Sequence, residues 1–150
     1  MGVVGDQGVG KSRLIHQYLW GKFMDDYQDE CIYQKLIVIG PATIDLKIIG
    51  IQASQCKILK YDAVIFVFDT QVSSTLDMIE AYTERLDTLQ QCPSHALVGT
   101  KTDCDPQQVR FETGSALAEA LCAEYSHLSA FNEVKVQHLF DIILRQRIDG

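Results

Sequence analysis

Eight residues near the start, Gly5-Asp6-Gln7-Gly8-Val9-Gly10-Lys11-Ser12, constrain this chain more than any other stretch. They fit G-x-x-x-x-G-K-[S/T], a loop that wraps phosphate groups. The spacing has a physical reason. Glycine admits backbone shapes that side chains obstruct, so loop N–H groups from Gly8, Val9 and Gly10 can converge on a β-phosphate. Lys11 can reach β- and γ-phosphate oxygens, and the Ser12 hydroxyl can ligate Mg²⁺. A helix that opens here and continues through Arg13 adds its positive N-terminal end. The flanks agree with the motif. Gly2-Val3-Val4 before it is an apolar strand end, and Arg13-Leu14-Ile15-His16-Gln17-Tyr18-Leu19 after it is helical in pattern. A glycine-rich turn without a ligand is the alternative, and the strand–loop–helix order counts against it.

A chain of 150 residues suits one domain with one core. Its formal charge of −7 argues against a general nucleic-acid binder, which would show a basic face. Cys31, Cys56, Cys92, Cys104 and Cys122 are scattered, odd in number and without C-x-x-C spacing, so reduced thiols in a cytoplasmic protein are expected. No apolar run reaches membrane-spanning length and no signal peptide is visible. Any membrane contact is therefore expected to be peripheral, through parts outside this chain. The sequence starts almost on the loop and ends at Asp149-Gly150 without a lipidation cysteine, which suits a domain of something longer.

Strand and helix patterns alternate along the chain. A first helix is expected from Lys11 to about Phe23, then an exposed acidic stretch over Asp25–Glu30. Ile32–Ile39 and Thr43–Ile49 are rich in β-branched residues and flank Gly40-Pro41, which predicts a hairpin. Gly50 to Tyr61 has no clear period. Ala63-Val64-Ile65-Phe66-Val67-Phe68 is a continuous apolar run, the mark of a strand buried on both faces. Helices are expected from Ser73 to about Gln90, over Pro106–Glu124 and over Val134–Arg147. Short strands are expected at Ala96-Leu97-Val98 and Tyr125–Leu128. This order predicts an α/β fold: a mainly parallel six-stranded sheet with one antiparallel edge strand and helices on both faces, in a single domain over residues 1–150.

The phosphate loop does not choose between ATP and GTP. Thr100-Lys101-Thr102-Asp103 does, following the strand that ends Leu97-Val98-Gly99. It resembles the N/T-K-x-D guanine box of the Ras-like small GTPases. The resemblance implies that Asp103 accepts hydrogen bonds from guanine's ring N–H and exocyclic amine. A wrong base would leave that carboxylate unpaired. It also implies that the Lys101 stem packs along the base. Ser129-Ala130-Phe131 resembles the family's S-A-K segment, whose backbone meets the guanine oxygen, and Phe23 matches the aromatic at the base edge. Ordinary packing is the alternative for Phe23 and Phe131, and a helix cap or turn aspartate the alternative for Asp103.

The resemblance covers nearly the whole chain and fails where hydrolysis is carried out. Ras-like proteins hold a threonine in the first mobile loop that ligates Mg²⁺ and senses the γ-phosphate. No threonine occurs here between Gly21 and Ala42. The family's D-x-x-G and its glutamine should come after the second hairpin strand, where this chain reads Leu46-Lys47-Ile48-Ile49-Gly50-Ile51-Gln52. Taking Gly50 as the glycine puts Lys47 in the aspartate's place, and a slip of one puts Ile48 there. Gln52 or Gln55 would then be the water-orienting candidate, with an ordinary polar loop residue as the alternative. Within the superfamily, His16-Gln17-Tyr18-Leu19, Asp62-Ala63-Val64-Ile65-Phe66-Val67-Phe68 and Leu97-Val98-Gly99-Thr100 resemble the GTPase-like domain of the centaurin-gamma ArfGAPs. The resemblance and its gaps together imply a guanine-nucleotide-binding regulatory domain, a weak GTPase at most. GTP or GDP and a weakly held Mg²⁺ would be its ligands, an effector or regulator protein its partner, and Lys11 and Gln52 its candidates for catalysis. A pseudo-GTPase interaction module inside a larger protein is the alternative.

Overall fold

The computed structural model of the chain describes residues 1–21, 32–52, 61–84 and 94–149. At its centre runs β4 (Ala63–Asp69), a strand in which every residue is buried. The period of two still sorts its side chains. Ala63, Ile65 and Val67 turn into one apolar core, and Val64, Phe66 and Phe68 into another on the opposite face. Val3 and Val4 of β1 (Gly2–Gly5) divide the same way, as do Val98 and Leu97 of β5 (Ser94–Thr100). Sequence periodicity vanishes because both faces are apolar; the geometry has not changed.

Two helices close each core. On one face α1 (Lys11–Trp20) supplies Leu14, Ile15, Tyr18 and Leu19, and α4 (Glu133–Asp149) supplies Val136, Leu139, Phe140 and Ile143. The Tyr18 ring stacks on Phe140 with centroids 4.2 Å apart and planes 6° apart. Such a pair adds roughly 0.5–1.5 kcal/mol to the burial of its area. On the other face α2 (Ser73–Glu84) contributes Leu76 and Ile79, and α3 (Phe111–Ala120) contributes Ala118.

The strand order is β2-β3-β1-β4-β5-β6, with β2 (Ile32–Ile39) and β6 (Glu124–His127) at the edges. Only β2 and β3 (Ala42–Gln52) pair antiparallel; the remaining pairs are parallel. The six-stranded α/β fold expected from the sequence is therefore the one observed. The hairpin turns on Gly40-Pro41, since Ile39 pairs with Ala42. Gly40 has φ +59 and proline cannot follow it into positive φ, which is the backbone hand of a type II′ turn. The chain leaves β1 toward β3 on one side and returns toward β4 on the other. The C-terminal end of β1 is thus a topological switch point, where α/β sheets open a crevice.

Several boundaries differ from expectation, among them the end of α3, which stops at Ala120 while Glu124 opens β6; three have a clear local reason. Helix α1 ends at Trp20 because Gly21 takes φ 63 and donates its N–H to the Gln17 carbonyl, a left-handed stop. Strand β3 continues through Gly50-Ile51-Gln52 because these residues pair in parallel with Val3, Val4 and Gly5. Helix α3 begins at Phe111, later than Pro106, because the N–H groups of Gln108 and Val109 both donate to the Thr70 carbonyl at 2.9 Å. Expected helix beyond Glu84 falls outside the described residues, as do Cys31, Cys56, Cys92 and the acidic stretch over 25–30. Among the described residues no helix is long and apolar enough to cross a membrane.

Helix α3 lies tightly on β6. A Cβ added to Gly114 would stand 2.1 Å from the Tyr125 hydroxyl oxygen and 2.4 Å from its Cζ. That ring cannot swing away freely, since its hydroxyl bonds His127 Nδ1 at 2.8 Å and Phe111 packs edge-on against it at 5.3 Å. Burial raises the Tyr125 pKa and lowers that of His127, where Lys135 acts in the same direction and Glu112 opposes it. Gly114→Ala gains roughly 1 kcal/mol of helix propensity and loses roughly 1–3 to overpacking. Net destabilisation is expected in urea denaturation, and a stabilised variant would contradict this contact.

Candidate functional site

The loop from Gly5 to Gly10 fills the crevice at the end of β1, and its carbonyls are tied down from outside. Lys11 Nζ donates to the Gly5 carbonyl at 2.7 Å and to the Ile51 carbonyl at 3.4 Å. Lys101 Nζ donates to the Gly8 carbonyl at 2.7 Å. The Thr100 hydroxyl lies 2.6 Å from the Val9 carbonyl and 3.0 Å from that of Phe68. In a trans peptide the following N–H points opposite to the carbonyl. The Val9 and Gly10 amides therefore point away from Lys101 and Thr100 respectively. Gly8 at φ +82 and Gly10 at φ +103 allow this path. A Cβ at Gly5 would meet the Val67 carbonyl oxygen at 2.4 Å, so the strand end admits no side chain there.

Helix α1 opens directly from this loop. Its N-cap is Gly10, no side chain caps it, and its first turn carries no acidic residue. A helix end so arranged presents partial positive charge to the loop. Lys11 and Ser12 are buried there, and Arg13 is half-buried one position on. Ser12 brings a hydroxyl, a hard oxygen of the kind Mg²⁺ accepts. Among the described residues no three His, Cys, Asp or Glu side chains gather as a metal group.

The residues expected on the base side meet this loop across the end of β5. Lys101 adopts φ 60, and Cys104 N–H donates to its carbonyl at 3.1 Å, closing a turn over Thr102 and Asp103. Gln107 Nε2 donates to the carbonyls of Lys101 and Cys104 and braces that turn. Asp103 is exposed; among the described residues its carboxylate has only the Cys104 thiol as a partner, at 3.9 Å. The segment after β6 is pulled alongside by Leu128 N–H, which donates to the Gly99 carbonyl at 2.8 Å. Ser129 Oγ accepts from the Phe131 N–H at 3.2 Å, Ala130 packs on the α1/α4 core, and Phe131 is 65% exposed. Asn132 then caps α4 through Lys135 N–H.

The fold thus gathers Gly5, Gly8, Val9, Gly10, Lys11, Ser12, Thr100 and Lys101 at one end of the sheet, with Asp103 and Ser129 on the loops above. Gln52 is the last residue of β3 and pairs with Gly5, so its backbone lies beside the phosphate loop. Lys47 does not. It pairs with Gln34 in the hairpin, and its carbonyl accepts from the Met1 ammonium at 2.8 Å, at the far end of β1. It lies five positions before Gln52 along the strand, about 16 Å at the usual rise. Neither Lys47 nor Ile48 therefore occupies the place of a D-x-x-G aspartate. The β3 residues beside the loop are Ile51 and Gln52, and no Asp or Glu occurs between Asp45 and Asp62. Phe23 and Gln55 lie outside the described residues.

Two further residues belong to the site. Asp69, the last residue of β4, is buried and sets its Oδ2 2.9 Å from Lys101 Nζ. Thr70 comes next and bonds the Thr100 carbonyl through its hydroxyl at 2.6 Å. The signal that would have found them is positional: both stand at the C-terminal end of the strand next to β5, with Asp69 paired to Thr100.

Comparison with known proteins agrees with this geometry. A family model described as the Ras family matches residues 1–149. The human GTP-binding protein Di-Ras3 is 28% identical over 158 residues, covering 97% of this chain and 69% of that protein. Human Ras-related protein Rab-7b is 24% identical, over 94% of this chain and 78% of its own length. Ras-like protein 1 of Saccharomyces cerevisiae is 27% identical over 99% of this chain and 52% of that protein.

Proposed function

The chain belongs to the Ras family, and from that premise we propose that it is a guanine-nucleotide-binding regulatory domain whose cradle is intact and whose switch segments are degenerate. It binds GTP and GDP and hydrolyses GTP slowly if at all. The observation that carries this reading is the bridge from Lys101 and Thr100 to the Gly8 and Val9 carbonyls, which joins the base side to the phosphate side. That one relative is named a GTP-binding protein supports it. In this reading Gly8, Val9, Gly10, Lys11, Ser12 and Arg13 surround the phosphates, Asp103 reads the base, and Ser129, Ala130 and Phe131 line its edge. Its partners are an effector or regulator protein, and it works in the cytoplasm.

Mg²⁺ would be held by the Ser12 hydroxyl, and when bound it neutralises charge on the phosphates. Among the described residues little more is offered to it. No threonine lies between Gly21 and Ala42, and no carboxylate lies between Asp45 and Asp62. Single-turnover GTP hydrolysis should run at or below the unassisted rate of P-loop switch proteins, on the order of 10⁻⁴ per second, and respond weakly to EDTA. Fast turnover that collapses with EDTA would restore an ordinary switch. The same missing groups favour a second reading, a pseudo-GTPase that serves as an interaction module. Nucleotide extracted from the purified protein separates the two: guanine nucleotide near one equivalent supports the first, and none supports the second.

A further inference from the structure

Lys101 is held from two sides, and only one of them belongs to the loop it would help to shape. Its ammonium donates to the Gly8 carbonyl at 2.7 Å and sits 2.9 Å from Asp69 Oδ2. The Asp69 side chain is 7% exposed and that of Lys101 33%, so the pair is partly withdrawn from water. The carboxylate cannot drift. Its Oδ1 accepts the Gln71 N–H at 2.8 Å, and its backbone N–H donates to Thr75 Oγ1 at 2.9 Å. A lysine chain has many rotamers, and holding one of them needs a strong partner. From this geometry we infer that Asp69 is a positioning residue, whose buried carboxylate holds the Lys101 ammonium against the Gly8 carbonyl and so locks the base loop to the phosphate loop.

The inference rests on the nucleotide reading for its effect on binding, while the lock itself is a property of the protein alone. A turn-forming role is the competing account of Asp69, because Oδ1 closes an Asx turn onto Gln71. Asparagine keeps that acceptor and the size, and removes the charge from Lys101. The test is therefore a cycle of Asp69→Asn, Lys101→Met and the double variant, with methionine keeping most of the stem. GDP affinity should fall roughly tenfold for Asp69→Asn in the wild-type background and less than about twofold when Lys101 is already methionine. Equal losses in both backgrounds, or no loss in the first, overturn the inference. The same cycle is run on nucleotide-free protein by thermal unfolding, where the Tm drop from Asp69→Asn should shrink once Lys101 is gone. A wild type that binds no GDP would remove the nucleotide reading, and additive Tm shifts would still overturn the lock.

Discussion

Replacing Lys11 by alanine is expected to abolish measurable GTP and GDP binding while the domain stays folded. Lys11 is buried at the first position of α1, with its ammonium on the Gly5 and Ile51 carbonyls at the end of the crevice. It is the only Lys or Arg between Met1 and Ser12, so no neighbour on the loop replaces its charge. Truncating one partner of a desolvated charge pair costs about 2–5 kcal/mol, and the upper half of that range is more than a hundredfold in Kd. A second effect runs beside the first. The carbonyls of Gly5 and Ile51 lose their donor, which costs the ligand-free protein roughly 1–2 kcal/mol. Lys11→Met refills part of the volume and serves as control. Calorimetric titration with GDP, alongside circular dichroism and a denaturation curve, checks both effects. Undiminished affinity in a folded variant would mean that the loop is no phosphate cradle.

The second large effect is a change of base. Asp103→Asn should weaken guanine-nucleotide binding by about two orders of magnitude or more and shift preference toward xanthine nucleotides. The carboxylate is exposed at the top of the turn that Cys104 N–H and Gln107 brace, so it is free to accept from a base edge. Asparagine turns one acceptor into a donor, which meets guanine's amine unfavourably and suits xanthine's added carbonyl. Because Asp103 makes little contact with the rest of the described chain, folding stability should barely change. Competition by ATP, GTP and xanthosine triphosphate against a fluorescent guanine nucleotide gives the ranking. Equal competition by ATP and GTP in the wild type would remove the guanine reading altogether.

Features were legible in the sequence where the physics is local. The phosphate loop was legible because glycine, lysine and hydroxyl are each required within eight adjacent positions. The sheet was legible because buried parallel strands leave continuous apolar runs such as Ala63 to Phe68. Lys47 was misplaced because a motif spacing anchored on Gly50 ignores register. Pairing with β1 decides which β3 residue reaches the loop, and that pairing puts Gln52 opposite Gly5. The start of α3 was missed for a similar reason. Gln108 and Val109 look helical alone, yet their N–H groups go to Thr70, far back in the chain. Asp69 was invisible because its partner Lys101 becomes a neighbour only once β4 and β5 lie side by side.

The tethering of the loop carbonyls also bears on time. With Gly5, Gly8 and Val9 already anchored by Lys11, Lys101 and Thr100, the loop has little backbone freedom left to lose when a ligand arrives. Ordering entropy that a slack loop would forfeit at the moment of contact has been surrendered during folding. Arrival at the proposed cradle should then need no prior search through loop conformations. Departure is the step left to vary. Tight binding in the proposed cradle should show itself as a long residence, shortened by whatever loosens Lys101 or Thr100.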